Sequence, residues 1–189
     1  KPGADTCLKV EEIKAELLSQ CKIFHVGSLS MTDEPAREAT IHAVKTAKDR
    51  GAIISYDPNY RRMLWKSKSD AMDHMRSLLP YADMVKISDE ETGILTDHDD
   101  PEQALRYFLS NGARIAIVTL GERGAMLGYD GIYTEIPGFK VPEVVDTTGA
   151  GDAFWGAFLS RILRGSPINA LNIDMLTEYV RFSNAAAAL

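Results

Sequence analysis

Residues 22–56, KIFHVGSLSMTDEPAREATIHAVKTAKDRGAIISY, contain the unit from which the fold of the whole chain can be worked out. The stretch begins with a short apolar run, residues 22–27, which ends in glycine and is typical of a buried strand. From Pro35 onward apolar residues recur at helical spacing as far as Gly51, and proline in the first turn is typical of a helix start. Residues 52–56 form a second apolar run. The stretch therefore predicts a strand, a helix and a second strand.

The same alternation extends to both sides of this unit. Helical periodicity precedes it at residues 10–18, and after it two further helix-and-strand pairs are predicted at residues 71–79, 84–87, 102–109 and 115–119. Because the strands are continuously apolar rather than alternating in polarity, they are expected to be covered on both faces. The predicted fold class is α/β: a mostly parallel, Rossmann-type sheet with helices on both faces.

The last third of the chain changes this rhythm. Asp130-Gly131 lies between two short runs in residues 125–136 and predicts a hairpin, so antiparallel strands are expected at the sheet edge. A strand at Val144-Val145, a long helix from about Gly149 and a helix over residues 175–189 complete the pattern. With no internal repeat, low-complexity tract or linker, residues 1–189 are expected to form a single α/β domain.

Composition and charge exclude several classes of function. The chain is 45% hydrophobic and 25% charged, which is the balance of a globular domain with a sizeable core. Its formal net charge of -6 argues against nucleic acid or an anionic membrane as the main partner, because both are bound through clustered Lys and Arg. Any phosphate-binding site must therefore be local.

Cysteine use and hydropathy bear on the cellular compartment. The two cysteines, Cys7 and Cys21, support neither a disulfide scaffold nor a zinc site, and reduced thiols in the cytoplasm are expected. No apolar run approaches the roughly 20 residues that a membrane helix needs. The first residues, KPGAD, lack the apolar region of a signal peptide.

Residues 146–154, DTTGAGDAF, are the most informative for chemistry, because they lie between a predicted strand and a predicted helix. The Gly149-Ala150-Gly151 segment at a helix start leaves consecutive backbone N–H groups free, and the helix dipole adds partial positive charge. This combination predicts an anion cradle. Asp152 in the first turn is stabilised as a carboxylate and can accept a proton from a hydroxyl beside a bound phosphate. The structural alternative is a tight turn followed by a favourable first-turn acid.

Two further polar stretches follow predicted strands. Ligands of open parallel sheets bind at the carboxyl ends of strands, where residues 57–61, DPNYR, are expected. The alternative for them is an Asp-Pro-Asn turn with a surface arginine. Residues 86–91, KISDEE, follow another predicted strand, and their plain interpretation is a helix start with an N-cap serine and with Glu91 at the capping-box position. His25, inside an apolar strand, is expected to be a packed core histidine rather than a catalyst.

Residues 146–154 resemble, position for position, the segment D-T-x-G-A-G-D-x-F in a signature of the ribokinase/PfkB family of carbohydrate kinases, and Gly156 follows. The resemblance implies a ribokinase-like fold, with Asp152 as the base that deprotonates the sugar hydroxyl. It also implies that Gly149, Ala150 and Gly151 form the anion hole for the transferred phosphoryl group. Asp146 and Thr148 match positions that hold a monovalent cation in many members.

Other stretches resemble motifs of the same family in the expected order. VTLGERG at residues 118–124 and SNAAAAL at residues 183–189 resemble nucleotide-site segments. The KISDEE stretch is similar to the N-x-x-E motif, with Ser88 in place of asparagine, and DPNYR to the D-P-N-x-R of fructokinases and 2-keto-3-deoxygluconate kinases. The residues so implicated are Thr119, Gly121, Gly124 and Asn184 for the nucleotide, Glu91 for Mg²⁺ through water, and Asp57, Asn59 and Arg61 for the phosphate or substrate side.

The resemblance implies transfer of the ATP γ-phosphoryl group to a sugar, with fructose O6 as the expected acceptor. ATP and Mg²⁺ are the expected cofactors, and whether K⁺ and a homodimer are also required stays open. Alternatives are another acceptor, such as 2-keto-3-deoxygluconate, ribose or a nucleoside, and a non-catalytic nucleotide-binding module. The N-terminal sugar-binding strands, the β-lid and the C-terminal end of the family have no counterpart in residues 1–189, so truncation at both ends is expected.

Overall fold

The structure is a computed structural model that describes residues 3–141 and 146–189. Its sheet has six strands in chain order, with β1 to β4 parallel and β4 to β6 antiparallel. The predicted fold class is therefore confirmed. The strands are β1 (Ile23–Val26), β2 (Ile53–Tyr56), β3 (Met84–Ser88), β4 (Ile115–Thr119), β5 (Gly124–Tyr129) and β6 (Ile132–Pro137).

Helices fill the connections between the strands. The α-helices are α1 (Ala15–Leu18), α2 (Ala36–Asp49), α3 (Lys68–Arg76), α4 (Thr92–Thr96), α5 (Pro101–Ser110), α6 (Ala150–Arg164) and α7 (Ile173–Ala187). Short 3-10 turns lie at Ala4–Cys7, Val10–Glu12, Leu29–Met31, Arg62–Leu64, Leu79–Tyr81, Asp89–Glu91, Gly121–Arg123 and Ile168–Ala170. None of the helices in the described part of the chain is long and apolar enough to cross a membrane.

The two faces of the sheet carry separate hydrophobic cores. On one face, Val85 and Val118 belong to a cluster with Ala43 of α2 and Phe108 of α5. On the other face, Met84 and the alternate residues of β4 and β5 pack against α6 and α7. Successive side chains of a strand point to opposite faces, so each parallel strand contributes to both cores. The helices of the two layers consequently cover both faces, as the continuous apolar strands predict.

The face covered by α6 becomes polar toward the carboxyl ends of the strands. Residues that alternate along each strand share one face. On this face β1 runs from Ile23 to His25, β2 from Ile53 to Ser55 and then Asp57, β3 from Met84 to Lys86 and Ser88, and β4 from Ile117 to Thr119. The polar half of the face lies beneath the N-terminal turn of α6, because Gly151 and Trp155 of that helix approach Lys86 and Ser55.

The hairpin predicted at Asp130-Gly131 is confirmed. Both residues have positive φ, 49° and 76°, as a two-residue type I′ turn requires. The helix predicted over residues 71–79 begins earlier and ends at Arg76, and Pro80 lies in a separate 3-10 turn. The strand predicted at Val144-Val145 lies outside the described residues.

The helix predicted over residues 10–18 is wrong. That segment forms the turn Val10–Glu12 and the single-turn helix α1, separated by extended Ile13. The Glu12 carboxylate accepts a hydrogen bond from the N–H of Lys9 (2.9 Å) and closes a local turn. Leu17 is 62% exposed, so a continuous helix here would have little apolar face to bury.

Candidate active site

The residues predicted to form an anion cradle lie at the N-terminal turn of α6. Gly149 precedes the helix with φ of 84°, in the left-handed region that glycine adopts without steric cost. The N–H of Ala150 donates to the carbonyl oxygen of Thr147 (3.1 Å), and the first i to i−4 bond begins only at residue 153. The N–H groups of Gly151 and Asp152 therefore have no helical acceptor and are the amides that an incoming anion would meet.

Asp152 lies in the first turn of this helix with an exposed side chain. Its charge affects the pKa of both Asp57 and His25. The acid is therefore accessible from solvent and electrostatically coupled to the ends of the parallel strands, which is where a proton acceptor for a bound hydroxyl is needed.

A buried ion pair supports the cradle from below. Nζ of Lys86 on β3 lies 2.8 Å from Oδ2 of Asp57, and the side chains are 8% and 6% exposed. The same Nζ lies 3.1 Å from the position that a Cβ on residue 151 would occupy. Glycine at position 151 thus leaves room for an ammonium group directly under the cradle.

The carboxylate of Asp57, the other member of that pair, has only one of its two oxygens engaged. Oδ1 of Asp57 is buried without a hydrogen-bond partner among the described residues. Burial raises the pKa of Asp57 to about 6, against the lowering effect of Lys86 and with further raising from Glu91 and Asp152. The negative charges here outweigh the single ammonium, so the site favours an additional cation.

Glu91 combines the capping role with a place at the site. Its Oε2 accepts hydrogen bonds from the N–H (2.8 Å) and the hydroxyl (2.9 Å) of Ser88, which is the predicted capping box. Its Oε1 accepts from the N–H of Tyr60 (2.5 Å). A carboxylate offers about four acceptor positions, so one on Oε1 remains for a water molecule.

These carboxylates fit a hydrated divalent cation better than a directly coordinated one. In the described parts of the chain, no group of three or more His, Cys, Asp or Glu side chains could hold a metal ion by itself. The orphaned Oδ1 of Asp57 and the free position on Glu91 nevertheless offer hard oxygen acceptors of the kind that Mg²⁺ and its waters bind.

The loop after β2 is held by backbone contacts. Ser28 donates from its N–H (3.1 Å) and its hydroxyl (2.5 Å) to the carbonyl oxygen of Pro58. Asn59 has φ of 47°, a conformation in which asparagine is enriched. Arg61 is exposed, and its side chain forms no hydrogen bond or ion pair with a described residue. The structure thus places Asp57 at the site, whereas Asn59 has a turn conformation and Arg61 extends into solvent.

The residues implicated in nucleotide binding lie around the ends of β4 and β6. Thr119 donates to the carbonyl oxygen of Ile87 (3.3 Å), and Gly121 follows with φ of 59°. A Cβ on Gly124 would collide with the backbone of β6. Asn184 of α7 donates from Nδ2 to the carbonyl oxygens of Ile136 and Pro137, each at 3.1 Å. Gly124 and Asn184 therefore meet the same end of β6.

The pair implicated in monovalent-cation binding forms a local turn. Oδ1 of Asp146 accepts a hydrogen bond from the N–H of Thr148 (2.8 Å), and both residues are exposed. Hydrogen bonding to Thr148 holds the pKa of Asp146 below its usual value. Asp146 is accordingly an ionised carboxylate at neutral pH.

His25 is not the packed core histidine expected from the sequence. Its side chain is exposed on the face of the sheet that α6 partly covers. Nδ1 lies 3.0 Å from Oγ of Ser55, which also accepts a hydrogen bond from Nε1 of Trp155 (2.9 Å).

Lys86 has no role in the predictions made from the sequence. A lysine inside an apolar strand is nevertheless a signal that a buried partner must exist.

A parallel sheet whose strands end beneath a glycine-started helix with an acid in its first turn is typical of α/β proteins that bind phosphate groups. The comparisons narrow this class. A sequence profile of the pfkB family carbohydrate kinases matches residues 1–189. The chain belongs to the PfkB family.

Individual relatives share its sequence and fold over part of their length. Fructokinase-1 of Zea mays is 39% identical over 189 residues, which are 100% of this chain and 58% of the relative. The fructokinase double mutant of Vibrio cholerae O395 in its fructose, ADP and potassium ion bound form has a TM-score of 0.90 and 30% identity, covering 100% of this chain and 59% of the other.

A third relative acts on a different class of acceptor. The aminoimidazole riboside kinase of Salmonella enterica, complexed with aminoimidazole riboside and an ATP analog, has a TM-score of 0.85 and 30% identity. The match covers 98% of this chain and 61% of that one. The chain thus spans about three fifths of the length of the relatives it matches.

Proposed function

We propose that the protein containing this chain transfers the γ-phosphoryl group of ATP to a sugar, with O6 of fructose as the acceptor. The observation that carries the proposal is the turn at residues 149–152, where free helix amides and an exposed acid stand over the buried ammonium of Lys86. This arrangement supplies the two needs of phosphoryl transfer, stabilisation of charge and acceptance of a proton.

In this mechanism the carboxylate of Asp152 accepts the proton of the attacking sugar hydroxyl. The N–H groups of Gly151 and Asp152, with Gly149 and Ala150 shaping the turn, stabilise the negative charge of the transferred group. Lys86 adds positive charge directly beneath them. Positioning is a large part of such catalysis, so the rigid turn contributes by holding the base and the amides in register.

Asp57 and Glu91 are the residues that would hold Mg²⁺ through its water shell, on the buried side of the cradle. Bound Mg²⁺ would neutralise charge on the ATP phosphates. We further propose that Asp146 and Thr148 bind a monovalent cation such as K⁺. The already ionised carboxylate of Asp146 supports this assignment.

The adenine nucleotide is proposed to lie along the ends of β4 and β6. Thr119, Gly121 and Gly124 would border it on one side, where Gly121 leaves the backbone open and Gly124 permits the close approach of β6, and Asn184 would fix the end of β6 on the other. Asn59 and Arg61 are proposed to face the phosphate or sugar. The exposed, unengaged guanidinium of Arg61 supports a ligand-binding role.

Fructose is favoured over other acceptors because relatives that are 39% and 40% identical to this chain are named fructokinases. A nucleoside acceptor is the second candidate, since the Salmonella enzyme that shares this fold is bound to aminoimidazole riboside. The free thiols of Cys7 and Cys21 support a reducing, cytoplasmic location. A homodimer stays a prediction for the whole protein.

A panel of acceptors tests the proposal. Phosphorylation of fructose, ribose, 2-keto-3-deoxygluconate and aminoimidazole riboside would be compared by kcat/KM, with ATP and Mg²⁺ present. We expect fructose to give the highest value. A higher kcat/KM for another sugar would change the assigned substrate but leave the assignment as a kinase intact. Absence of transfer to every acceptor would contradict the assignment as a kinase.

A further inference from the structure

His25, Ser55 and Trp155 form a hydrogen-bonded line that crosses from β1 through β2 to α6. Oγ of Ser55 lies 3.0 Å from Nδ1 of His25 and 2.9 Å from Nε1 of Trp155. Ser55 is fully buried and Trp155 is 2% exposed, whereas the His25 side chain is exposed. The line therefore fixes the inner edge of the imidazole ring and leaves its outer edge at the surface.

The direction of these bonds follows from what each group can do. The indole N–H of Trp155 can only donate, so Oγ of Ser55 accepts it. The remaining proton on the Ser55 hydroxyl needs an acceptor, and within the described residues Nδ1 of His25 is the group in reach. Nδ1 then accepts, and the neutral ring carries its proton on Nε2.

This tautomer directs a hydrogen-bond donor outward. Nε2 lies on the side of the ring opposite Nδ1, and no described residue accepts a hydrogen bond from it. Gly27 shares the face of His25 one step nearer the carboxyl end of the strand and has no side chain to cover the ring. An oriented N–H group is thus open to a ligand.

The donor lies in the electrostatic reach of the proposed reaction centre. Burial is the main cause that lowers the pKa of His25, and Lys86 lowers it further, whereas a hydrogen bond with the Ser55 backbone and the charge of Asp152 oppose this lowering. The ring is accordingly neutral at physiological pH and can serve as a fixed donor beside the proposed base.

We propose that His25 is a sugar-binding residue, which donates a hydrogen bond from Nε2 to a hydroxyl of the acceptor other than the one that is phosphorylated. The inference rests on the proposed function, because it takes the ligand to be a polyhydroxylated sugar placed next to Asp152. Ser55 and Trp155 act as positioning residues that hold the ring in the donating tautomer.

Two amide substitutions separate the inner contact from the outer one. In His25→Asn the carboxamide oxygen can replace Nδ1 as acceptor for Ser55, but no group reaches the position of Nε2. In His25→Gln the longer side chain can bring its amide N–H to that position. Loss of one neutral hydrogen bond corresponds to roughly a tenfold loss of affinity. We expect KM for the sugar to rise about tenfold in His25→Asn and about twofold in His25→Gln, with KM for ATP unchanged.

Deoxy analogues of the sugar test whether the contact is direct. With the analogue that lacks the partner hydroxyl, wild type and His25→Asn should have equal kcat/KM, whereas the other analogues should preserve the difference between them. Calorimetric titration of the sugar gives the same comparison without turnover. Thermal unfolding checks that both variants are folded.

The outcomes distinguish this inference from the function on which it rests. If wild type phosphorylates sugar and the two variants bind it as tightly as wild type, or if only His25→Gln loses affinity, His25 has a structural role and the inference is overturned. If losses in both variants are independent of every analogue, the contact is likewise excluded. A wild-type protein that neither binds nor phosphorylates any sugar overturns the proposed function first.

Discussion

Lys86 is the residue whose positive charge balances the carboxylates of the site. It is buried, paired with Asp57 at 2.8 Å and placed under Gly151. The charges of Glu91 and Asp152 add to the burial that raises the pKa of Asp57, whereas Lys86 lowers it. Burying a charge without a partner is costly, so the pair must be maintained or replaced as a unit.

Replacing the proposed base tests the chemistry at its centre. We expect Asp152→Asn to lower kcat by roughly 10²- to 10⁴-fold, the usual contribution of a general base, with KM for ATP little changed. The measurement is steady-state kinetics with fructose and ATP. Asp174→Asn is a matched control, because it removes a first-turn acid from α7. Retention of most of the turnover by Asp152→Asn would remove this residue from the mechanism.

The raised pKa of Asp57 predicts a pH dependence of stability. Because burial raises this pKa from 3.8 to about 6, the ionised form is disfavoured in the folded state, and stability is lost as pH rises through that interval. The carboxamide of the Asp57→Asn variant does not titrate. We expect the free energy of unfolding of wild type, relative to Asp57→Asn, to fall by roughly 2 kcal/mol between pH 4 and 7.

Denaturant titrations at several pH values measure this difference. The double variant Asp57→Asn with Lys86→Met removes both charges and serves as the control for an unpaired ammonium. A wild-type stability that stays parallel to that of Asp57→Asn over this range would show that Asp57 does not titrate with a raised pKa.

At the scale of elements, helix α6 contains two glycines with different surroundings. Gly151 faces Lys86, whereas a Cβ on Gly156 would meet nothing within 4 Å. Gly156→Ala is expected to stabilise the protein by about 0.5–1 kcal/mol, because alanine restricts the unfolded chain and favours the helix. Gly151→Ala is expected to gain less stability and to lose kcat, because its methyl group would press on Lys86. Thermal unfolding and kinetics of the two variants check this, and equal behaviour would contradict it.

The predictions from the sequence are correct where a few adjacent residues determine the local structure. The helix after Gly149, the hairpin at Asp130-Gly131 and the capping box of Ser88 and Glu91 each depend on a few adjacent residues. The helix expected at residues 10–18 failed because its apolar residues do not share one covered face, since Leu18 is buried in the core whereas Leu17 is exposed.

The missed site features depend on contacts between distant parts of the chain. Ser55 and Trp155 are 100 residues apart, and Asp57 and Lys86 are 29 apart. Local pattern therefore indicates that a strand ends in polar residues, but not which side chains meet there. The exposure of His25 likewise depends on how much of the sheet face is covered by α6, which is distant in the sequence.

At the scale of the whole molecule, residues 1–189 form a sheet with β1 at one edge. Since the chain spans 58% of the fructokinase-1 relative, we expect the isolated chain to lack appreciable sugar phosphorylation, because the family resemblance implies that sugar-positioning residues lie in the part of the relatives that it does not span. The open edge of β1 also favours association. Coupled kinase assays and sedimentation of the isolated chain, beside the whole protein, measure both. A monomer with comparable turnover would contradict this expectation.

The division of the sheet into two cores has an evolutionary consequence. The layer of α2 to α5 contributes to the proposed site through Glu91 at the start of α4, whereas its apolar packing positions can drift among residues of similar volume. Selection on the α6 layer must satisfy packing and chemistry together, since Lys86, Ser55 and His25 share that face with the core. Under the proposed function, divergence among the apolar residues of the other face is expected to carry little information about which sugar a descendant accepts.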